Sequence, residues 1–388
     1  MLNVRPSLLI MRIRALPLLL LVASISFADQ EDYSSGISDR IHINGEAGVA
    51  FFDTGREGDF PNEEFRVDEA KLFIEAVIID DVYVFVEANV LTREEDNEIF
   101  EIGELYLEFE DIGKKARLFN VRVGRFDIPF GEEYLTRDAI DNPLISHSLS
   151  DIWGVDEGVQ LFGSRHQFEY VIAIQNGGAP VLQDFNSDKS IAARMLYRPA
   201  ANFHVSVSAM RTGDLDVDGD RFSEVWFGNG FLVPLGSLNA TTVISGNIFQ
   251  GDGHLSWKRG HLHVAGGQLQ YRDDNIARNY SRNANYFYVE GVQHLTASSE
   301  SPWYAAARFS RIDADNGFPL VGFGDFQTFL FDDERLTEEL WRMSLGIGYR
   351  IRRNLLLKAE YSLENGRQVD GADRDNENFV GIEAAVRF

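Results

Sequence analysis

From Ile41 to Val49 the chain alternates: Ile41, Ile43, Ala47 and Val49 fall on one face, and His42, Asn44 and Glu46 on the other. A period of two is the pattern of a strand with one side in an apolar environment and the other in a polar one. The same reading predicts strands at 65–79, 82–93, 99–110, 116–126, 156–163, 166–176, 189–199, 202–211, 252–258, 261–272, 284–296, 302–312, 338–350, 354–364 and 378–388, sixteen with the first. Segments 222–232 and 239–246 read as further strands or loop hairpins and are assigned to a loop. No helix-period stretch and no linker divides 41–388, so it is one domain.

The predicted connections alternate in length. Those after even strands are a few residues, as at Asp80-Asp81, Gly163 to Arg165, Ala200-Ala201, Arg259-Gly260 and Ile351 to Arg353. Those after odd strands are long, as at 127–155, 212–251 and 313–337. A transmembrane antiparallel β-barrel has this asymmetry, with short periplasmic turns on one rim and long extracellular loops on the other. A soluble sandwich has no reason for it. The faces agree: Leu355, Leu357, Ala359 and Tyr361 alternate with Lys358, Glu360 and Ser362, and Val380, Ile382, Ala384, Val386 and Phe388 oppose Glu383 and Arg387. Trp303, Phe309, Trp341, Tyr349, Tyr361 and Phe388 fall near predicted strand ends, where an interfacial girdle belongs. The chain finishes on an aromatic residue, like the terminal strand by which outer-membrane barrels are recognised for assembly.

The amino-terminal segment adds a destination. Arg5, Arg12 and Arg14 precede the apolar run Leu16 to Val22, and Ser26-Phe27-Ala28 offers small residues where a signal peptidase reads. Residues 1–28 are expected to be a signal peptide cleaved after Ala28, with 29–40 a short periplasmic segment; Met11 is an equally good start. The run is too short for a membrane helix, so an exported chain is either soluble or a barrel. The absence of cysteine excludes disulfides, thiolate metal sites and a Cys nucleophile. A formal charge of −25 argues against a nucleic-acid partner. Acidic loops can also share divalent cations with anionic outer-leaflet lipid such as lipopolysaccharide.

Few motifs carry chemistry. Serine-hydrolase, phosphate-loop, dinucleotide and His-Glu-x-x-His patterns are absent. His261 and His263 share a strand face, but no third metal ligand is evident. Asp214 to Asp220 has alternate carboxylates like a calcium loop and lacks the later Glu. His147 beside Ser146, Ser148 and Ser150 is the one suggestive catalytic cluster, and closeness in sequence makes no triad. No cofactor, metal or catalytic residue is therefore expected.

Val121 to Thr136, with Val121-Arg122-Val123-Gly124-Arg125-Phe126-Asp127-Ile128-Pro129-Phe130-Gly131-Glu132-Glu133, resembles a strand-and-loop signature of the phosphate-selective porin O and P family. Trp153 to Gly163, Tyr170 to Gly177 and Ala193 to Pro199 resemble the strands that follow it. The resemblance implies a homotrimer of sixteen-stranded barrels, each with its third loop folded inward and basic residues leading anions through. The constriction loop is then 127–155, carrying Asp127, Pro129, Phe130, Gly131, Glu132, Glu133 and Arg137. An inward loop is expected in any case, because a barrel of this size leaves an aqueous channel that has to be narrowed. Alternation puts Lys71, Arg122, Arg194, Arg308, Arg342 and Lys358 on the inner wall as candidates for an anion pathway. It also puts Glu46, Glu75, Glu87, Glu104, Glu108, Glu169, Glu290 and Glu360 there, so the wall is mixed in sign. The expected function is passive diffusion of small hydrophilic solutes, with phosphate or other small anions as the sharper version. An outer-membrane barrel enzyme and a structural or adhesion barrel are the alternatives.

Overall fold

The structure is a computed structural model, and it describes residues 40–56, 58–91, 100–114, 117–136, 138–177, 187–216, 225–228, 230–231, 243–273, 282–296, 302–324, 336–374 and 377–388. The expected signal peptide, Arg137 and Val217 to Asp220 lie outside these residues. Sixteen long strands follow one another: β1 (Ile41–Asp53), β2 (Glu64–Ile79), β3 (Val82–Leu91), β4 (Glu101–Phe109), β5 (Asn120–Asp127), β6 (Val155–Arg165), β7 (Phe168–Gln175), β8 (Ser190–Ala200), β9 (Phe203–Arg211), β10 (Val243–Trp257), β11 (Gly260–Asp273), β12 (Arg282–His294), β13 (Trp303–Phe318), β14 (Thr337–Arg352), β15 (Leu355–Gln368) and β16 (Phe379–Arg387).

Each strand pairs antiparallel with the next, and β16 pairs with β1 (Glu46↔Arg387 to Asp53↔Val380), so the sheet closes and no edge is left. At the seam Gly45 and Phe388 exchange backbone hydrogen bonds of 2.9 and 2.8 Å. A side chain at Gly45 would run into the Phe388 ring, which fixes how the terminal aromatic lies on the outer face.

The outer face is apolar. Ile172, Ile174, Val207, Leu345 and Ile347 are all among its exposed side chains, while Glu104, Glu108, Glu290, Arg308, Lys358 and Glu383 are buried on the inside. A soluble protein has the opposite distribution. Two-residue turns follow β2, β6, β8, β10 and β14. The connection after β4 is longer than the few residues expected, because a turn with Asp111, Lys114 and Arg117 at positive φ is closed by Asn120 and Asp111 hydrogen bonds.

β10 differs most from the alternation, starting at Val243 rather than 252. Ile244 and Ile248 point inward here, against the polar-inside rule, as do Met210 and Leu269 on its neighbours and Tyr286, Ile312 and Leu340 on β12, β13 and β14. They meet Phe130, Ile152, Phe227 and Leu320 of loops folded into the lumen and Phe318 at the end of β13, forming one buried apolar cluster inside the barrel. The segment 222–232 contributes the short strands Trp226–Phe227 and Gly230–Phe231, which pair with each other and, through Trp226–Phe227, with Ile152–Trp153 of the loop before β6. The 127–155 loop therefore shares the lumen with a second loop.

Candidate functional site: the inward loop and the inner wall

The loop 128–154 leaves β5 through a closed neck. Asp127 pairs with Val155, and the Ile128 amide donates to the Gly154 carbonyl at 2.8 Å. Ile128, Pro129 and Phe130 are then buried, with Phe130 in the apolar cluster. Gly131 turns the chain at φ +66°, a conformation costly for any residue with a Cβ. Its amide donates to Ser208 Oγ (3.1 Å) and its carbonyl accepts from Arg194 (2.6 Å).

Glu132 then meets the wall at His204 Nε2 (2.8 Å). Burial works against its charge, yet hydrogen bonds from Ser206 and His204 and the facing imidazoles hold its carboxyl below the usual range. Glu133 turns back into the loop and accepts the Ser148 amide (2.7 Å) and hydroxyl (2.5 Å). Burial pushes its carboxyl up, and Asp151 adds to the shift.

The far half of the loop is seated on β13–β16 by charged side chains. Lys358 Nζ donates to the carbonyls of Ala139 (2.7 Å) and Leu144 (3.0 Å) and lies 2.9 Å from Glu383. Glu360 accepts the amides of Ile145 (2.6 Å) and Ser146 (2.9 Å) and the Ser146 hydroxyl (2.5 Å). Arg308 donates to the Ser146 carbonyl and pairs with Glu290, both at 2.6 Å. Arg342 pairs with Glu364 at 2.6 Å, donates to the His147 carbonyl, and lies over the Phe323 ring. Arg350 reaches the Ile140 carbonyl at 2.9 Å. On the near side, Ala139 donates to Glu69, and Asp138 and Asp141 accept from Arg387.

The six basic candidates thus divide. Arg308, Arg342 and Lys358 are 1–3% exposed and hold loop carbonyls and wall carboxylates. Lys71, Arg122 and Arg194 keep part of their surface on the arc β2–β8, with side chains of Lys71 and Arg122 at 13% and 21% exposure. Lys71 sits between Glu69 (3.8 Å) and Asp138 (4.0 Å); Arg122 binds Glu108 at 2.8 Å and lies 3.9 Å from the Tyr106 ring centre. Asp127 donates its amide to Glu104. Alternation did not point to Arg350, or to Arg374, which holds the carbonyls of Leu320 and Val321 from the loop after β13. Their signal is weak, since Arg350 lies near the end of β14, where alternation fades, and Arg374 lies in the connection between β15 and β16.

Of the suggestive catalytic cluster, His147 Nδ1 and Asp151 are 2.5 Å apart. The hydroxyls of Ser146 and Ser148 are directed to the carboxylates Glu360 and Glu133.

No protein-family profile matches the sequence, and no curated protein matches it either. Solved structures do. The outer membrane channel DcaP of Acinetobacter baumannii superposes with a TM-score of 0.58 at 12% identity, covering 90% of this chain and 97% of that one. An anion-selective porin from Comamonas acidovorans gives 0.56 at 8% identity over 89% and 98%. OprB of Pseudomonas putida gives 0.56 at 12% identity over 90% and 94%. This chain therefore has the closed, sixteen-stranded fold seen in outer-membrane porins.

Proposed function

We propose that the protein is an outer-membrane porin, a passive channel through which small hydrophilic solutes diffuse across the barrel. The observation that carries this reading is the seated loop: 128–154 folds into the lumen and is held by charged groups against β13–β16, and on this reading the passage runs on the side of β2–β8. A closed barrel with an apolar outer face and a charged inner wall suits a bilayer, where every backbone group has to be satisfied internally. An amino-terminal signal peptide and contact with lipopolysaccharide belong to the same reading, and so does assembly as a homotrimer.

Selectivity follows from which charges remain beside the passage. Lys71 lies within 4.0 Å of Glu69 and Asp138, Arg122 lies within 3.9 Å of Glu104 and Glu108, and Arg194 is bound to the Gly131 carbonyl. A strong anion pathway needs converging cations without such partners. We therefore favour a general, weakly selective porin over a phosphate-specific one. The test is the reversal potential of the purified protein in a planar bilayer under a potassium chloride gradient, with phosphate added as competitor. A potential near zero or favouring potassium supports the general reading; a chloride-favouring potential with phosphate block supports the phosphate reading. No conductance overturns both and returns the enzyme and structural alternatives.

A further inference from the structure

Four of the eight histidines gather on one patch of the inner wall. His204 of β9 is directly opposite His254 of β10, which is directly opposite His263 of β11, which faces Glu290 of β12. His261 lies two residues before His263 on the same face. The His254 ring centre is 5.0 Å from His204, 5.4 Å from His261 and 6.1 Å from His263. Carboxylates surround the group: His263 Nε2 is 3.8 Å from Asp252, His261 Nε2 is 3.8 Å from Glu290, and His204 Nε2 is 2.8 Å from Glu132. The Tyr288 hydroxyl lies 3.1 Å from His263 Nδ1.

His204 is already engaged, holding the inward loop through Glu132. We propose that His254, His261 and His263, backed by the carboxylates of Asp252 and Glu290, bind a borderline divalent cation such as Zn²⁺ or Ni²⁺ at the short-turn end of the lumen, as cargo or effector of the channel. Three imidazoles with a nearby carboxylate are the donor set such ions prefer over Ca²⁺ or Mg²⁺.

The spacing fits. A metal–nitrogen bond of about 2.0–2.1 Å puts an imidazole centre about 3.2 Å from the ion, so two tetrahedral ligands have ring centres about 5.2 Å apart. The His254–His261 separation of 5.4 Å is near that value before any ion is present, and the 6.1 Å to His263 has to close by nearly an ångström. Among the described residues no three such side chains have their donor atoms converged as they stand, so binding turns the rings of His254 and His261. Both rings are only half-buried, whereas buried His263 is oriented by Tyr288 and Asp252, in the way that hydrogen-bond partners behind a ligating imidazole fix its ring. His261 is the second residue of β11, just after the two-residue turn from β10, which gives an ion a way in from that rim.

The site's role in conduction rests on the porin reading, but ion binding itself does not, and the experiment separates them. Purified full-length protein in detergent is titrated with Co²⁺, followed by its visible absorption, and then with Zn²⁺ as competitor. In parallel, ZnCl₂ is added to each side of a planar bilayer. The expected result is a tetrahedral Co²⁺ band displaced by Zn²⁺, and a conductance lowered by Zn²⁺ from one side. The double variant His254→Gln/His263→Gln should weaken Zn²⁺ binding by about tenfold or more, while His166→Gln, in an exposed turn, leaves it unchanged. If the double variant does not fold, His261→Gln replaces it. No Co²⁺ band, or a band unchanged by these substitutions, overturns the site. A band without any conductance upholds the site and overturns the porin.

Discussion

The guanidinium of Arg308, on the barrel wall, donates to the backbone carbonyl of Ser146, in the inward loop, at 2.6 Å, and the same group pairs with Glu290 at 2.6 Å. One buried cation thus holds the loop and neutralises a wall carboxylate that has no exposure of its own. Removing one partner of a buried pair costs about 3–5 kcal/mol, because the other charge is left without compensation. Arg308→Met is expected to lower stability by that order in urea unfolding from detergent and to raise single-channel conductance as the loop loosens. Adding Glu290→Gln should restore much of the stability and none of the loop anchoring. A double variant as unstable as the single one would refute this division.

Phe130 tests the other attachment. It is 1% exposed in a cluster with Met210, Ile248, Leu269 and Tyr286 from the wall. Truncation of such a side chain costs about 3–5 kcal/mol. Phe130→Ala is expected to destabilise the loop's near half and broaden the distribution of conductance levels, with the barrel still resisting sodium dodecyl sulfate without heating. Gly131→Ala should act in the same direction, since a Cβ there would come within 2.8 Å of Gln250 Nε2 at a strained φ. Sharp, unchanged conductance levels in both variants would show that this end of the loop does not bound the passage.

The barrel was legible because alternation is set strand by strand: every one of the sixteen predicted segments overlaps a strand. What escaped was β10 before residue 252, and the reason is physical. Alternation reports polarity only while the inside is polar, and at Ile244 and Ile248 the inside is an apolar cluster built by loops. The division of the basic residues was equally hidden. Arg122 and Arg308 have the same parity and the same kind of neighbours in sequence; only the path of a distant loop makes one a loop anchor and leaves the other paired with the wall residues Glu104, Glu108 and Tyr106. The histidine patch fell between the two. His261 and His263 were visible as a pair, but His254 joins them through strand register, which no local pattern gives.

Glu132 and Glu133 are adjacent carboxyls shifted in opposite directions. Glu132 is held below its ordinary 4.5, so it stabilises the fold above that value, and the contribution is lost as pH falls through the depressed folded value. Glu133 is raised by burial, so its contribution is complete below 4.5 and declines as pH rises through the folded value. Glu132→Gln is therefore expected to destabilise the protein at neutral pH and to lose that difference in acid. Glu133→Gln should be close to neutral in acid and should cost less at neutral pH than Glu132→Gln. Urea midpoints of the two variants across a pH series check the order, and a reversed order would sink the assignment.

Arg122 is where the sign of selectivity is most open to change. Its guanidinium lies 2.8 Å from Glu108 and 3.9 Å from Glu104, and its side chain keeps 21% exposure. Glu108→Gln removes the nearer carboxylate and leaves the cation in place, so the local charge beside the passage becomes more positive by one unit. Charges this close to a solute path act within the Debye length, about 8 Å at physiological salt, and their effect should fade as salt is raised. The reversal potential under a potassium chloride gradient is expected to move toward chloride in Glu108→Gln and toward potassium in Arg122→Gln, with both shifts shrinking at high salt. Glu364→Gln beside fully buried Arg342 supplies the contrast: that pair sits behind the seated loop, so its loss should lower stability with little change in reversal potential. A shift at Glu364 larger than that at Glu108 would mean that the passage does not run along β2–β8, and that the loop leaves its opening on the opposite wall.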